Sequence, residues 1–199
     1  MDSILRLSVH WDNSLTDDVR CASGAVVFIV RKFKSYPERI YRRGVSLTTA
    51  VPKRWHLKAQ DSRIKASQYV PGVLAVLDNL QHSGRELIFL NQDGMAAEGA
   101  VSNIFIVRGK RVLTPCAGSG ILRGVTRDTV IGLAAKRGFH VQETFLTRHE
   151  IYTAGECFMT NTSSEILPVV SVDERKIGTG KPGPVAKVLR DDFKKAVCR

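Results

Sequence analysis

The chain has 199 residues, 43% of them hydrophobic and 25% charged, which suits one large or two small globular domains and excludes wholesale disorder. Thirty Lys and Arg against nineteen Asp and Glu give a net charge of +11. These charges are spread along the chain rather than gathered in one stripe, so solvated faces account for them and a nucleic-acid partner is not expected. Four cysteines (Cys21, Cys116, Cys157, Cys198) show neither a C-x-x-C nor a paired spacing. No disulfide framework and no metal site are expected, and a reducing cytoplasm is the expected home. The opening MDSILRLSVHWDNS has no long apolar core behind positive charge, so no signal peptide is expected. No apolar run approaches the roughly 18 residues of a membrane span.

In chain order, Ile4 to Val9 and Ala25 to Val30 read as short strands around a loop-like Asn13 to Arg20. Pro37 and Gly44 bracket a short basic turn or helix, and Val45 to Ala50 reads as a strand. Pro71 to Ser83 reads as a helix, with Val73, Leu74, Leu77 and Leu80 on one face and Gly84 to stop it. Strands are expected over Glu86 to Asn91, Ala100 to Val107 and Arg111 to Thr114. Thr126 to Arg137 is the clearest helix, with Thr126 as its candidate cap and Gly138 at its end. His140 to Phe145 is a further strand, and Thr147-Arg148-His149-Glu150 is a capping-box pattern. Strands Cys157 to Thr160 and Ile166 to Val172 flank the polar turn Asn161-Thr162-Ser163-Ser164, and a final amphipathic helix starts at Pro182 or Pro184 and runs to about Val197. Several strands are hairpin neighbours, so a mixed α+β sheet is expected rather than a doubly wound parallel one.

Few residues announce chemistry alone. Gly124-Val125-Thr126 opens the strongest helix, where free backbone N–H groups and the positive dipole end favour an anion; a plain cap explains Thr126 equally well. Thr162 and Ser163 form a second hydroxyl-rich turn, which either completes a phosphate cup or merely reverses the chain. Lys65, Tyr69 and Glu98 are individually uninformative, and no dinucleotide, Walker, zinc-protease or nucleophile-elbow motif competes.

The order of the pieces is more telling. Ser62-Arg63-Ile64-Lys65-Ala66-Ser67-Gln68-Tyr69 precedes Ala97-Glu98-Gly99-Ala100-Val101-Ser102-Asn103-Ile104-Phe105. Gly120-Ile121-Leu122-Arg123-Gly124-Val125-Thr126-Arg127-Asp128 and Phe158-Met159-Thr160-Asn161-Thr162-Ser163-Ser164-Glu165-Ile166-Leu167-Pro168-Val169 then follow. This series resembles the class IV pyridoxal-phosphate enzymes, which include branched-chain aminotransferases, D-amino acid aminotransferases and aminodeoxychorismate lyases. The resemblance implies a fold-type IV architecture with a mixed, barrel-like sheet and flanking helices. It implies a shortened remnant of a small N-terminal domain over residues 1–35 and a pyridoxal 5'-phosphate-binding large domain over 36–199. It implies transfer of an amino group between an amino acid and a 2-oxo acid in a homodimer. An aminodeoxychorismate lyase and a truncated, non-catalytic cofactor binder are the alternatives. By resemblance Lys65 is the Schiff-base lysine and Glu98 faces the pyridine nitrogen. Tyr69 lies near the ring oxygen, and Val125, Thr126, Thr162 and Ser163 cradle the phosphate.

Overall fold

The computed structural model describes residues 3–12, 23–50, 64–65, 73–75, 77 and 86–197. The chain divides into two compact units, Met1–Tyr36 and Pro37–Arg199. In the first, β1 (Ser3–Asp12) pairs antiparallel with β2 (Ser23–Lys32). Leu5 faces Val30, Leu7 faces Phe28 and Val9 faces Val26 across the ladder, and all six side chains are exposed. The expected loop over Asn13 to Arg20 lies outside the described residues.

The second unit begins with α1 (Glu38–Arg43) and β3 (Val45–Thr49). Then come β4 (Glu86–Leu90), β5 (Ala96–Gly99), β6 (Asn103–Arg108), β7 (Arg111–Pro115) and a 3-10 turn (Ala117–Ser119). Next are α2 (Val125–Lys136), β8 (His140–Thr144), α3 (Arg148–Tyr152) and β9 (Glu156–Asn161). β10 (Glu165–Val172), β11 (Arg175–Lys176) and α4 (Pro184–Val197) complete it. Of the expected helix over Pro71 to Ser83, positions 73–75 and 77 are described and are helical.

The strands form one mixed sheet in the order β5-β4-β3-β10-β9-β6-β7-β8, with β11 beside β10. β3 runs parallel to both β4 and β10, β7 runs parallel to β8, and the other pairs are antiparallel. The two ends of this order meet. Ala96 of β5 bridges Leu146, just past β8, with Ala96 N–H donating to Leu146 O at 2.7 Å. The sheet therefore curls on itself into a barrel-like layer, and strand alternation sorts the side chains to its two faces. Ile104 and Ile106 of β6, with Cys157 and Met159 of β9, enter one cluster together with Leu113, Leu146, Leu167 and Val169. Phe105 and Val107, with Phe158, enter the cluster beneath α2 and α4, where they meet Val130, Ala134, Leu189 and Phe193. Phe105 and Phe158 are register partners whose rings stack 5.0 Å apart.

Two expectations need correction. The strand expected over Ala100 to Val107 begins only at Asn103, as β6; residues 100–102 turn the chain after β5, a strand outside the expected set. Gly99 N–H donates to Ser102 O at 2.6 Å, and a Cβ on Gly99 would overlap Ser102 Oγ, so glycine permits the tight reversal. The second concerns Thr126, which is not the cap of α2. The cap position is Gly124, and no side chain caps that end. The capping box at the start of α3, by contrast, is present with both of its bonds between Thr147 and Glu150.

Candidate active site

Strand directions bring several candidates to one end of the sheet. β6 starts, β9 finishes and β10 starts there, with Asn103 opposite Thr160 and Asn161 opposite Glu165. β5 is antiparallel to β4, so the Glu98-Gly99 end of β5 lies at this same end.

Glu98 is only 5% exposed, yet its carboxylate is well supplied with donors. Asn103 Nδ2 donates to Glu98 Oε2 at 3.1 Å, and Leu122 N–H donates to the same oxygen at 2.9 Å. Asn103 Nδ2 also donates to Leu122 O at 2.8 Å. The result is a closed ring of β5, β6 and the segment before α2, in which hydrogen bonds hold a buried carboxylate in place. A Cβ on Gly124 would overlap Asn103 Oδ1, so glycine lets the start of α2 approach β6 closely. Asn103 thus ties Glu98 to the mouth of α2.

At that mouth the absence of a side-chain cap leaves first-turn N–H groups directed outward from a 12-residue helix, an arrangement suited to an anion. Val125 is 84% exposed beside it, and Thr126 is buried. Arg127 has no exposed surface: its Nη2 donates to Pro115 O at 2.9 Å and to Glu143 Oε2 at 2.7 Å, and its Nη1 to Asp128 Oδ1 at 3.0 Å. These bonds pin the first turn of α2 to β7 and β8.

The second hydroxyl group is the turn after β9. Asn161 Oδ1 accepts from Ser163 N–H (2.9 Å) and Ser164 N–H (2.7 Å), an Asx turn that leaves Thr162 exposed and Ser163 half-buried. Nearby, Thr160 is 1% exposed and its Oγ1 has no hydrogen-bond partner among the described residues. An orphaned buried hydroxyl in register with Asn103 is a polar atom that a ligand or water can satisfy. Lys65 is exposed, and Tyr69 lies outside the described residues.

Sequence reasoning missed Asn103, Arg127 and Thr160. All three stand inside the quoted motifs, but nothing local says that Asn103 is the hub of the ring, that Arg127 is buried or that the Thr160 hydroxyl is left without a described partner. No group of three or more His, Cys, Asp or Glu able to hold a metal ion occurs among the described residues, and no described helix is long and apolar enough to cross a membrane.

Comparison with known proteins identifies the family. The family model for amino-transferase class IV matches residues 2–172. A branched-chain-amino-acid aminotransferase from Pseudomonas aeruginosa is 36% identical over 157 residues, covering 78% of this chain and 51% of the relative. The crystal structure of the Escherichia coli branched-chain amino acid aminotransferase superposes with a TM-score of 0.82 at 31% identity, covering 88% of this chain and 57% of that one. The PLP form of the Thermobaculum terrenum enzyme gives a TM-score of 0.87 at 29% identity, covering 98% and 64%. The chain thus spans about half the length of the curated relatives it matches.

Proposed function

Since the chain belongs to the class IV aminotransferase family, we propose that it is a pyridoxal 5'-phosphate-dependent aminotransferase that moves an amino group between an amino acid and a 2-oxo acid. The observation that carries this reading is the buried Glu98 carboxylate tied through Asn103 to the uncapped start of α2. It supplies an acid for a ring nitrogen and, beside it, an anion-binding helix mouth, and the orphaned Thr160 hydroxyl adds an unsatisfied polar atom at the same end. These residues suit a phosphorylated pyridine.

When bound, the pyridine ring acts as an electron sink for the substrate Cα. Glu98 keeps the ring nitrogen protonated, and Asn103 and Leu122 N–H hold that carboxylate in place. Lys65 would be the residue that holds the cofactor, and its amine would be the group that moves the proton at the substrate Cα. Val125 N–H, Thr126, Thr162 and Ser163 would bind its phosphate, and Tyr69, by the family resemblance, would serve its ring oxygen. Residues 1–35 are assigned to a small domain and 36–199 to the cofactor-binding domain. A homodimer in the cytoplasm is the working assembly. The aminotransferase relatives do not favour aminodeoxychorismate lyase or a non-catalytic binder. They make leucine, isoleucine and valine the first amino donors to try.

The test is the visible spectrum with added pyridoxal 5'-phosphate, followed by borohydride reduction and peptide mapping, then a half-reaction with each donor. A yellow adduct on Lys65 bleached by an amino acid supports the reading. An adduct scattered over surface lysines, or none, overturns it.

A further inference from the structure

The Asn161–Glu165 turn is gripped from outside as well as from within. Asn161 Oδ1 accepts from Ser164 Oγ at 2.9 Å in addition to its two backbone donors. Glu165 has φ of +56°, a left-handed backbone that side-chain-bearing residues adopt uncommonly. Two helices far away in sequence contact this turn. From α1, the buried Tyr41 donates its hydroxyl to Ser164 O at 3.1 Å. From α4, the Arg190 guanidinium lies 3.3 Å from the Tyr41 ring centroid and brings its Nε within 3.7 Å of Glu165 Oε2. Arg190 is itself aimed by a bidentate pair with Glu38 on α1, at 2.7 and 2.9 Å. A planar cation stacked on a ring and forked onto a carboxylate is a geometry that lysine cannot reproduce.

We propose that Tyr41 and Arg190 are positioning residues that set the Thr162 and Ser163 hydroxyls for a phosphate monoester. The inference rests on the phosphate assignment made above and names the residues that hold one wall of that cup. Neither residue touches the phosphate. Tyr41 acts through the Ser164 carbonyl, and Arg190 through the Glu165 carboxylate and the Tyr41 ring.

The test compares the affinities of the whole chain for pyridoxamine 5'-phosphate and for pyridoxamine, which lacks the phosphate and serves as the internal control. Both ligands bind non-covalently and are followed by their fluorescence. Tyr41→Phe keeps the ring beneath Arg190 and removes only the hydroxyl. It should weaken pyridoxamine 5'-phosphate about two- to tenfold, the scale of one buried hydrogen bond, and leave pyridoxamine unchanged. Arg190→Lys keeps the charge and should shift the ratio in the same direction. Equal weakening of both ligands, or of neither, overturns the proposal, since a general packing defect does not single out the phosphate. Thr162→Ala separates the two levels of the argument. If it alters the ratio and Tyr41→Phe does not, the positioning role fails and the phosphate assignment stands. If Thr162→Ala leaves the ratio unaltered, the assignment fails and the positioning role with it.

Discussion

Replacing Arg127 with methionine should destabilise the protein by about 2 kcal/mol, mostly through one carbonyl rather than through two ion pairs. The guanidinium is wholly buried, whereas the side chains of its acidic partners, Asp128 and Glu143, are each 43% exposed. Water can replace the lost cation at both carboxylates, so each pair is worth at most about 1 kcal/mol. Pro115 O has no such recourse: it accepts from Arg127 Nη2 in a buried setting, and stranding it costs about 1–3 kcal/mol. Methionine retains much of the packed stem, which keeps the cavity contribution small. In a chain of this length a loss of about 2 kcal/mol lowers Tm by roughly 4–8 °C. Urea unfolding followed by circular dichroism would measure it, with an unchanged m-value expected. Glu143→Gln, measured alongside, should cost under about 1 kcal/mol. A neutral or stabilised Arg127→Met would mean that desolvation of the guanidinium outweighs its bonds. A Glu143→Gln loss as large as that of Arg127→Met would return the stabilisation to the ion pair. Either result refutes the reasoning.

Other perturbations have defined outcomes. Glu98→Gln should retain cofactor but slow the half-reaction with an amino donor at least about a hundredfold in stopped-flow absorbance, because an amide cannot keep the ring nitrogen protonated. Burial raises the carboxyl pKa of Glu86, partly offset by donors from Ser102 and the Val101 backbone. The folded state therefore holds the proton more tightly than the unfolded one, and stability falls as pH rises through the folded value. Glu86→Gln should accordingly raise Tm at pH 8, with the gain vanishing near pH 4 in differential scanning calorimetry. Thr147→Ala removes the cap side chain of α3 and should cost about 0.5–2 kcal/mol in urea unfolding. Burial pushes the Cys157 thiol far above its ordinary range, so mass spectrometry should find it alkylated by iodoacetamide only after denaturation.

The elements that sequence reasoning locates well have local causes. The strand of β9, the box at Thr147 and the final helix each carry their apolar run, cap or apolar stripe within a short stretch of chain. The division of β5 from β6 does not, because it depends on Gly99 meeting Ser102 and on pairing with β4. The hydroxyl of Thr126 fits the part of a cap for α2. The close approach of Asn103 instead demands glycine at the cap and places threonine inside the first turn. The motif series leads to Glu98, Thr126 and Thr162, but the groups that hold this end of the sheet come from farther away. Asn103 binds across to Leu122, and Tyr41 binds Ser164 from 123 positions earlier. Such contacts are products of tertiary packing, which no window of sequence contains.

The curled sheet has a further consequence. Glu98 rides on β5, at one end of the strand order, whereas Arg127 ties the mouth of α2 to β7 and β8, at the other. The candidate site therefore straddles the seam where the sheet meets itself, at the bridge from Ala96 to Leu146. A molecule gripping both Glu98 and the helix mouth would rivet that seam shut, and the free energy of its binding would reappear as resistance to parting there. The amide proton of Ala96 sits on the seam. Its exchange with deuterium would slow as the site fills, so that one hydrogen could report occupancy for the whole barrel.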